Sequence, residues 1–286
     1  MKKGDLKSKI FVDGGDPDET REAKKLLGFV DGQTTNPTLI SKNPDVQKRL
    51  DSGKKFTEKE AYKFYREVVE ELAKITEGPI SIEVYADHST PYEKMLAQGR
   101  EMFTWIPNAY VKFPTTKEGL KAASTVVKEG LRVNMTLCFS QEQAAAVYAA
   151  TLGTKEPAFV SPFVGRFDDR GENGMGLIEN ILKMYEKGDG HVLALTASVR
   201  NVAHLLYAIK LGSPLITAPF KVIKDWSEKG LTLPDENFGY NPKGLKPIPY
   251  KEIPLDKTWT EYNIQHDLTD TGIKRFSEDW NQLVQN

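Results

Sequence analysis

Eight short apolar runs, separated by longer stretches of helical periodicity, constrain this chain more than any other feature. The runs cover residues 9–13, 28–34, 79–85, 109–113, 132–137, 158–161, 191–196 and 214–218. Helical patterning covers 56–75, 90–102, 116–127, 141–150, 175–186, 199–210 and 220–229. Continuous apolar runs alternating with helices mean a parallel sheet buried on both faces. A chain of 286 residues suits one (β/α)8 TIM barrel, for which roughly 250 residues is typical. An open doubly wound sheet fits less well, because no glycine-rich dinucleotide fingerprint follows the first run. Thr116, Ser140 and Ser198 stand just before helical stretches and read as N-caps.

The barrel is expected over 1–230 and an extension over 231–286. In that extension Pro234, Pro242, Pro247, Pro249 and Pro254 interrupt the chain, while Phe238, Tyr240, Tyr250 and Trp259 argue against a disordered tail. A final amphipathic helix is expected at 269–284, with Ile273, Phe276, Trp280 and Leu283 on one face. This stretch reads as a belt on the barrel exterior or on a neighbouring subunit in preference to a lid.

Charge and cysteine content narrow the function. Lysine and arginine total 39 against 40 acids, a net charge of -1, so no basic field exists for nucleic acid or a membrane surface. Lys2 and Lys3 precede no apolar core, so the start does not read as a signal peptide. No apolar run approaches the ~20 residues of a membrane span. Cys138 is alone, which excludes an intrachain disulfide and favours a reducing cytoplasm; it reads as a small buried hydrophobe. His88, His191, His204 and His266 lack metal-ligand spacing, and no metal or cofactor is expected. The glycine-rich loop 171–176 lacks the Gly-Lys-Ser/Thr ending of a P-loop and reads as a turn.

Lys112 lies inside the run Ala109-Tyr110-Val111-Lys112-Phe113-Pro114. Lysine is rare in a buried strand, and desolvation that lowers an ammonium's pKa makes the amine a nucleophile toward carbonyls. Polar residues recur at the ends of the other runs: Asp13, Asn36 after Thr34-Thr35, Glu83, Asn134 with Thr136, Ser161 before Arg166, and Ser198 before Arg200. Side chains two apart share a face of a strand, and barrel active sites lie at the strands' C-terminal ends. Each has a plainer explanation alone. Asp13 could cap a turn, Asn36 before Pro37 is turn chemistry, and Glu83 could only pair with Lys112. Asn134 and Thr136 could fill a polar layer, Arg166 could pair with Asp168 or Asp169, and Ser198 could only cap. Together they place polar residues at one end of seven strands, which points to an enzyme.

Four ordered segments sharpen this: Asp31-Gly32-Gln33-Thr34-Thr35-Asn36-Pro37, Val111-Lys112-Phe113-Pro114-Thr115-Thr116, Asn134-Met135-Thr136-Leu137 and Ser161-Pro162-Phe163-Val164-Gly165-Arg166. They resemble the transaldolase family, from about Phe11 to Trp226, and Phe276 with Asp279-Trp280 is similar to that family's last helix. The resemblance implies a metal-independent class I aldolase-type barrel of the pentose phosphate pathway, a cytoplasmic homo-oligomer acting on sugar phosphates. It implies Lys112 as the Schiff-base residue, Glu83 and Thr136 as handlers of protons through a water, and Asp13 as the base at the C4 hydroxyl. It implies Asn36, Asn134 and Ser161 as holders of substrate hydroxyls, and Arg166, Ser198 and Arg200 as the phosphate site. That site would use the loops after strands six and seven. Similar fructose-6-phosphate aldolases carry Gln where this chain has Glu83 and Tyr where it has Phe163, so both positions look like transaldolase. A relative with a different anionic head group, such as a sulfonate, is compatible with the two arginines. A silent sugar-phosphate-binding barrel would have lost Glu83, Lys112 and Thr136.

Overall fold

Alternation between two buried environments builds the sheet. In β4 (Ala109–Pro114), Tyr110 stacks inside on Phe159 with ring centroids 4.1 Å apart, while the ring of Phe113 points out toward Gly99 of a covering helix. The same period of two runs through β1 (Lys9–Asp13), β2 (Gly32–Thr34), β3 (Ile80–Glu83), β5 (Val133–Cys138), β6 (Ala158–Pro162), β7 (Val192–Thr196) and β8 (Leu215–Ala218). Each strand pairs in parallel with the next and β1 pairs with β8, so the computed structural model is a closed eight-stranded barrel. It describes residues 4, 6–242 and 244–285; Lys2 and Lys3 lie outside them. No helix among the described residues is long and apolar enough to cross a membrane.

Around the strands lie α1 (Pro17–Leu27), α2 (Pro37–Ser41), α3 (Pro44–Asp51), α4 (Glu58–Ile75), α5 (Tyr92–Phe103), α6 (Lys117–Val126), α7 (Gln141–Ala150), α8 (Val164–Asp168), α9 (Gly174–Tyr185), α10 (Val202–Lys210), α11 (Phe220–Glu228) and α12 (Asp267–Leu283). Thr116 and Ser140 cap α6 and α7 as expected, each accepting a backbone N–H three residues on. Ser198 does not cap a helix. Its φ is 58°, so the chain turns away there, and α10 begins only after Asn201, whose side chain accepts from the His204 N–H. The run read as 28–34 also shortens to a three-residue strand. Gly28 is the left-handed C-cap of α1, a helix opened by Asp16 and Pro17 that the apolar pattern does not reveal.

The final helix lies across the C-terminal mouth of the barrel, not on its exterior. Ile273, Phe276, Trp280 and Leu283 are buried, and Trp280 packs on Tyr62 and Tyr65 of α4 at 5.2 and 6.1 Å. Gly272 allows close approach, since a Cβ there would stand 2.6 Å from the Leu137 side chain. Two buried glutamines of α7 hold the extension. Gln141 exchanges hydrogen bonds with the Lys251 backbone at 3.0 and 2.8 Å. Gln143 donates to Ile264 O and Thr269 Oγ1 at 2.9 and 2.8 Å and accepts from the Phe139 N–H at 2.6 Å. The loop 171–173 pairs with Lys246, so it anchors the extension as well as turning the chain.

Replacing this buried amide leaves the Phe139 N–H and the Ile264 carbonyl without the partner that satisfies them. Gln143→Leu should therefore lower stability by about 2–4 kcal/mol, read as an earlier urea midpoint with an unchanged slope. A midpoint equal to the parent's would mean that α12 is held by its apolar face alone.

Candidate active site

Register brings the central pair together. Glu83 ends β3 directly opposite Lys112 on β4, and Asn134 on β5 stands opposite Lys112 on the other side. Lys112 Nζ lies 3.0 Å from Glu83 Oε2 and donates to Thr35 O at 3.0 Å, with side chains only 3% and 4% exposed. Tyr65 of α4 positions both partners. Its hydroxyl accepts the Glu83 N–H at 2.9 Å and bonds Thr35 Oγ1 at 2.6 Å. Burial pushes the Glu83 carboxyl above its usual range, and the Lys112 ammonium draws it partly back.

The remaining polar residues form two short chains on the barrel wall. Asp13 accepts from Thr34 Oγ1 at 2.6 Å, and Thr34 is bonded to Thr217 Oγ1 at 2.6 Å. Burial raises the Asp13 carboxyl above its ordinary range, while Lys112 and the Thr34 hydroxyl oppose that rise. On the other wall Ser161 donates to Asn134 Oδ1 at 2.7 Å, and Asn134 Nδ2 donates to Ser81 Oγ at 3.0 Å. Thr136 points inward two residues on, fully buried, and its hydroxyl has no hydrogen-bond partner among the described residues. A small cavity of about 10 Å³ lies between Glu83, Leu137 and Phe276.

A second cavity, of about 260 Å³, opens from Lys112 to the mouth. Asp13, Asn36, Ser161 and Phe163 line it with Lys112, and Arg166, Ser198 and Arg200 line its outer part. Glu83, Asn134 and Thr136 are not part of this lining; Glu83 connects to it through Lys112 and Asn134 through Ser161. Asn36 also caps α2, its side chain accepting the Leu39 N–H at 2.9 Å, so its turn role and its place in the site coexist. Gly165 makes room for Arg200, because a Cβ would fall 2.2 Å from Arg200 Nε. Arg200 Nη2 pairs with Asp169 Oδ2 at 2.8 Å, so that carboxylate holds Arg200, not Arg166. Behind them the buried ring of His204 lies 2.9 Å from Asp168 and faces the Arg200 N–H at 3.4 Å. Burial lowers the His204 pKa and favours the neutral ring.

Three members were not legible as site residues. Tyr65 belongs to an ordinary apolar stripe of α4, and Lys42 and Arg275 flank the matched segments as ordinary charged residues, yet both line the outer cavity. Cys138 is buried, with its thiol pushed up to about 12. No cluster of His, Cys, Asp or Glu among the described residues could hold a metal ion. The arrangement pairs a buried primary amine and two raised carboxyls with a cationic rim, which suits an anionic carbonyl substrate.

The family model for Transaldolase/Fructose-6-phosphate aldolase matches residues 10–286. A probable transaldolase of Thermoanaerobacter sp. is 36% identical over 272 residues, spanning 95% of this chain and 96% of its own. Those of Geotalea uraniireducens and Dehalococcoides mccartyi are 36% and 35% identical, each spanning 96% of this chain and 99% of its own. Among solved structures, an enolase of the mandelate racemase subgroup from Agrobacterium tumefaciens is similar at TM-score 0.44 and 10% identity, over 78% of this chain and 56% of that one. With the family match running from β1 through α12, the chain belongs to the transaldolase/fructose-6-phosphate aldolase family and is an enzyme of the transferase type for which these relatives are named.

Proposed function

We propose that the enzyme transfers a dihydroxyacetone unit through a Schiff base on Lys112. The donor is a ketose phosphate, fructose 6-phosphate or sedoheptulose 7-phosphate, and the acceptor is erythrose 4-phosphate or glyceraldehyde 3-phosphate. The observation that carries this reading is a buried lysine, 3.0 Å from a carboxylate, at the inner end of a cavity with an arginine rim. Lys112 must lose a proton to attack, and Glu83 stands within reach of it. The free amine adds to the ketose C2 carbonyl, and the carbinolamine loses its hydroxyl as water to leave the iminium. Glu83 and the free Thr136 hydroxyl suit a bridging water in these proton transfers.

Asp13 then removes the C4 hydroxyl proton, the C3–C4 bond breaks, and the iminium takes the electron pair as an enamine. The aldose phosphate leaves. The enamine carbon adds to the acceptor aldehyde, Asp13 returns its proton to the new alkoxide, and water releases the ketose from Lys112. Asn36, Asn134 and Ser161 fix the substrate hydroxyls during both halves. Arg166, Ser198 and Arg200 hold the distal phosphate, the arginines by bidentate hydrogen bonds. Phe163 has no hydroxyl to protonate the held three-carbon unit, which favours transfer over release. A cytoplasmic homo-oligomer belongs to the same reading.

Release of glyceraldehyde 3-phosphate from fructose 6-phosphate should require erythrose 4-phosphate. Sustained release without acceptor would make the enzyme an aldolase. Borohydride added with fructose 6-phosphate should fix a three-carbon adduct on the peptide containing Lys112, and Lys112→Met should lower turnover at least about 10³-fold. Near-parental turnover in that variant would exclude the Schiff base. The Asp13 carboxyl should titrate above the ordinary 3.8, and Thr34→Val should raise it further by removing a hydrogen bond to the carboxylate. Because the base must be ionised, the acid limb of kcat/KM should move to higher pH in Thr34→Val. An unmoved limb would remove Asp13 as the base.

A further inference from the structure

The mouth of the barrel carries a third guanidinium. Arg275 of α12 lines the outer cavity beside Arg166 and Arg200, although it comes from the helix that covers the mouth and not from the barrel. The charges are unevenly compensated. Arg200 has Asp169 at 2.8 Å, and Arg275 Nε has Asp279 only at 3.8 Å, a carboxylate that also accepts from Thr38 Oγ1. Arg166 makes no ion pair among the described residues, and its charged form is opposed by burial, then by Arg275, then by Arg200. Three guanidiniums around one half-buried cavity repel one another, and an oxyanion between them removes that repulsion.

The two sides of the cavity belong to different bodies. Arg166 and Arg200 follow β6 and β7, where backbone bonds from Val164 to Ala197 and from Gly165 to Ser198 lock them together. Arg275 stands next to Phe276, whose ring approaches Phe163 at 6.5 Å across the mouth. We propose that Arg275 is the third arm of an anion clamp, through which the terminal phosphate of a substrate ties α12 to the barrel rim. The clamp rests on the sugar-phosphate reading above and extends it. It makes cover of the mouth depend on the phosphate, so an unphosphorylated sugar of the same shape would bind under a looser helix.

Inorganic phosphate tests this without turnover. Calorimetric titration should show binding to the parent weakened about tenfold or more in Arg275→Gln, with Arg275→Lys between them. Phosphate should slow amide exchange across 267–283 in the parent and not in Arg275→Gln. The side chain is 46% exposed, so both variants should fold, checked by an unchanged melting temperature without phosphate. Equal phosphate binding in parent and Arg275→Gln, exchange in α12 indifferent to phosphate, or a parent that binds none would each overturn the clamp. Phosphate binding that depends on Arg275 in an enzyme transferring no three-carbon unit would uphold the clamp and sink the sugar reading. Transfer that ignores Arg275 would do the reverse.

Discussion

Everything in the site depends on the contact between Lys112 and Glu83. Taking an ammonium and a carboxylate out of water costs several kcal/mol per ion, and their attraction offsets this only with good geometry and further hydrogen bonds. Lys112 gains one such bond from Thr35 O, and Tyr65 holds both Thr35 and Glu83 where the lysine needs them. An apolar pair of the same volume would serve the fold equally well or better. The pair therefore places a demand on the rest of the barrel. The aromatic layer of Phe11, Tyr110 and Phe159 beneath it and the aliphatic layer between strands and helices supply the compensating burial.

The same period of two that builds the sheet made much of the site legible. Once Val111 and Phe113 are assigned to the helix side, Lys112 must face inward, and Asn134 and Thr136 follow by the same count. What escaped has a physical reason in each case. Helices α2 and α8 have five residues each, too short for a 3.6-residue period to emerge from the noise. Ser198 has the side chain of a cap, but a φ of 58° delays the helix to Asn201. Whether a residue is the cap is decided by the backbone, and that backbone is held by Gly165 N–H bonding to Ser198 O.

The final helix shows a different limit. Its amphipathic period marks Ile273, Phe276 and Trp280 as buried but carries no information on which surface buries them. That information sits in Gln143, in the first turn of α7, and in Leu137, which interrupts the register of β5 with φ 57° and offers its carbonyl to Thr269. Arg275 escaped for the same reason, since its meaning comes only from where the helix lands.

The position of α12 also changes what the extension does. A belt on the outside would matter to assembly and stability, whereas a helix that brings Arg275 and Phe276 into the cavity is part of the site. On the proposed reaction, the half-reactions are separated by a bound enamine, which any proton donor reaching its carbon would discharge as free dihydroxyacetone. Phe163 and Phe276 face each other across the mouth, with Phe139 packed behind Phe163 at 5.7 Å. An aromatic, hydroxyl-free cover over a lysine-bound carbanion keeps solvent protons away while the donor's aldose leaves and the acceptor enters. If the phosphate draws that cover down, each incoming acceptor seals the site by the group that marks it as a substrate. Between the half-reactions the phosphate is gone with the donor's aldose, so protection of the enamine then rests on the aromatic cover of Phe163 and Phe276 itself, and the acceptor's phosphate completes the seal as transfer begins.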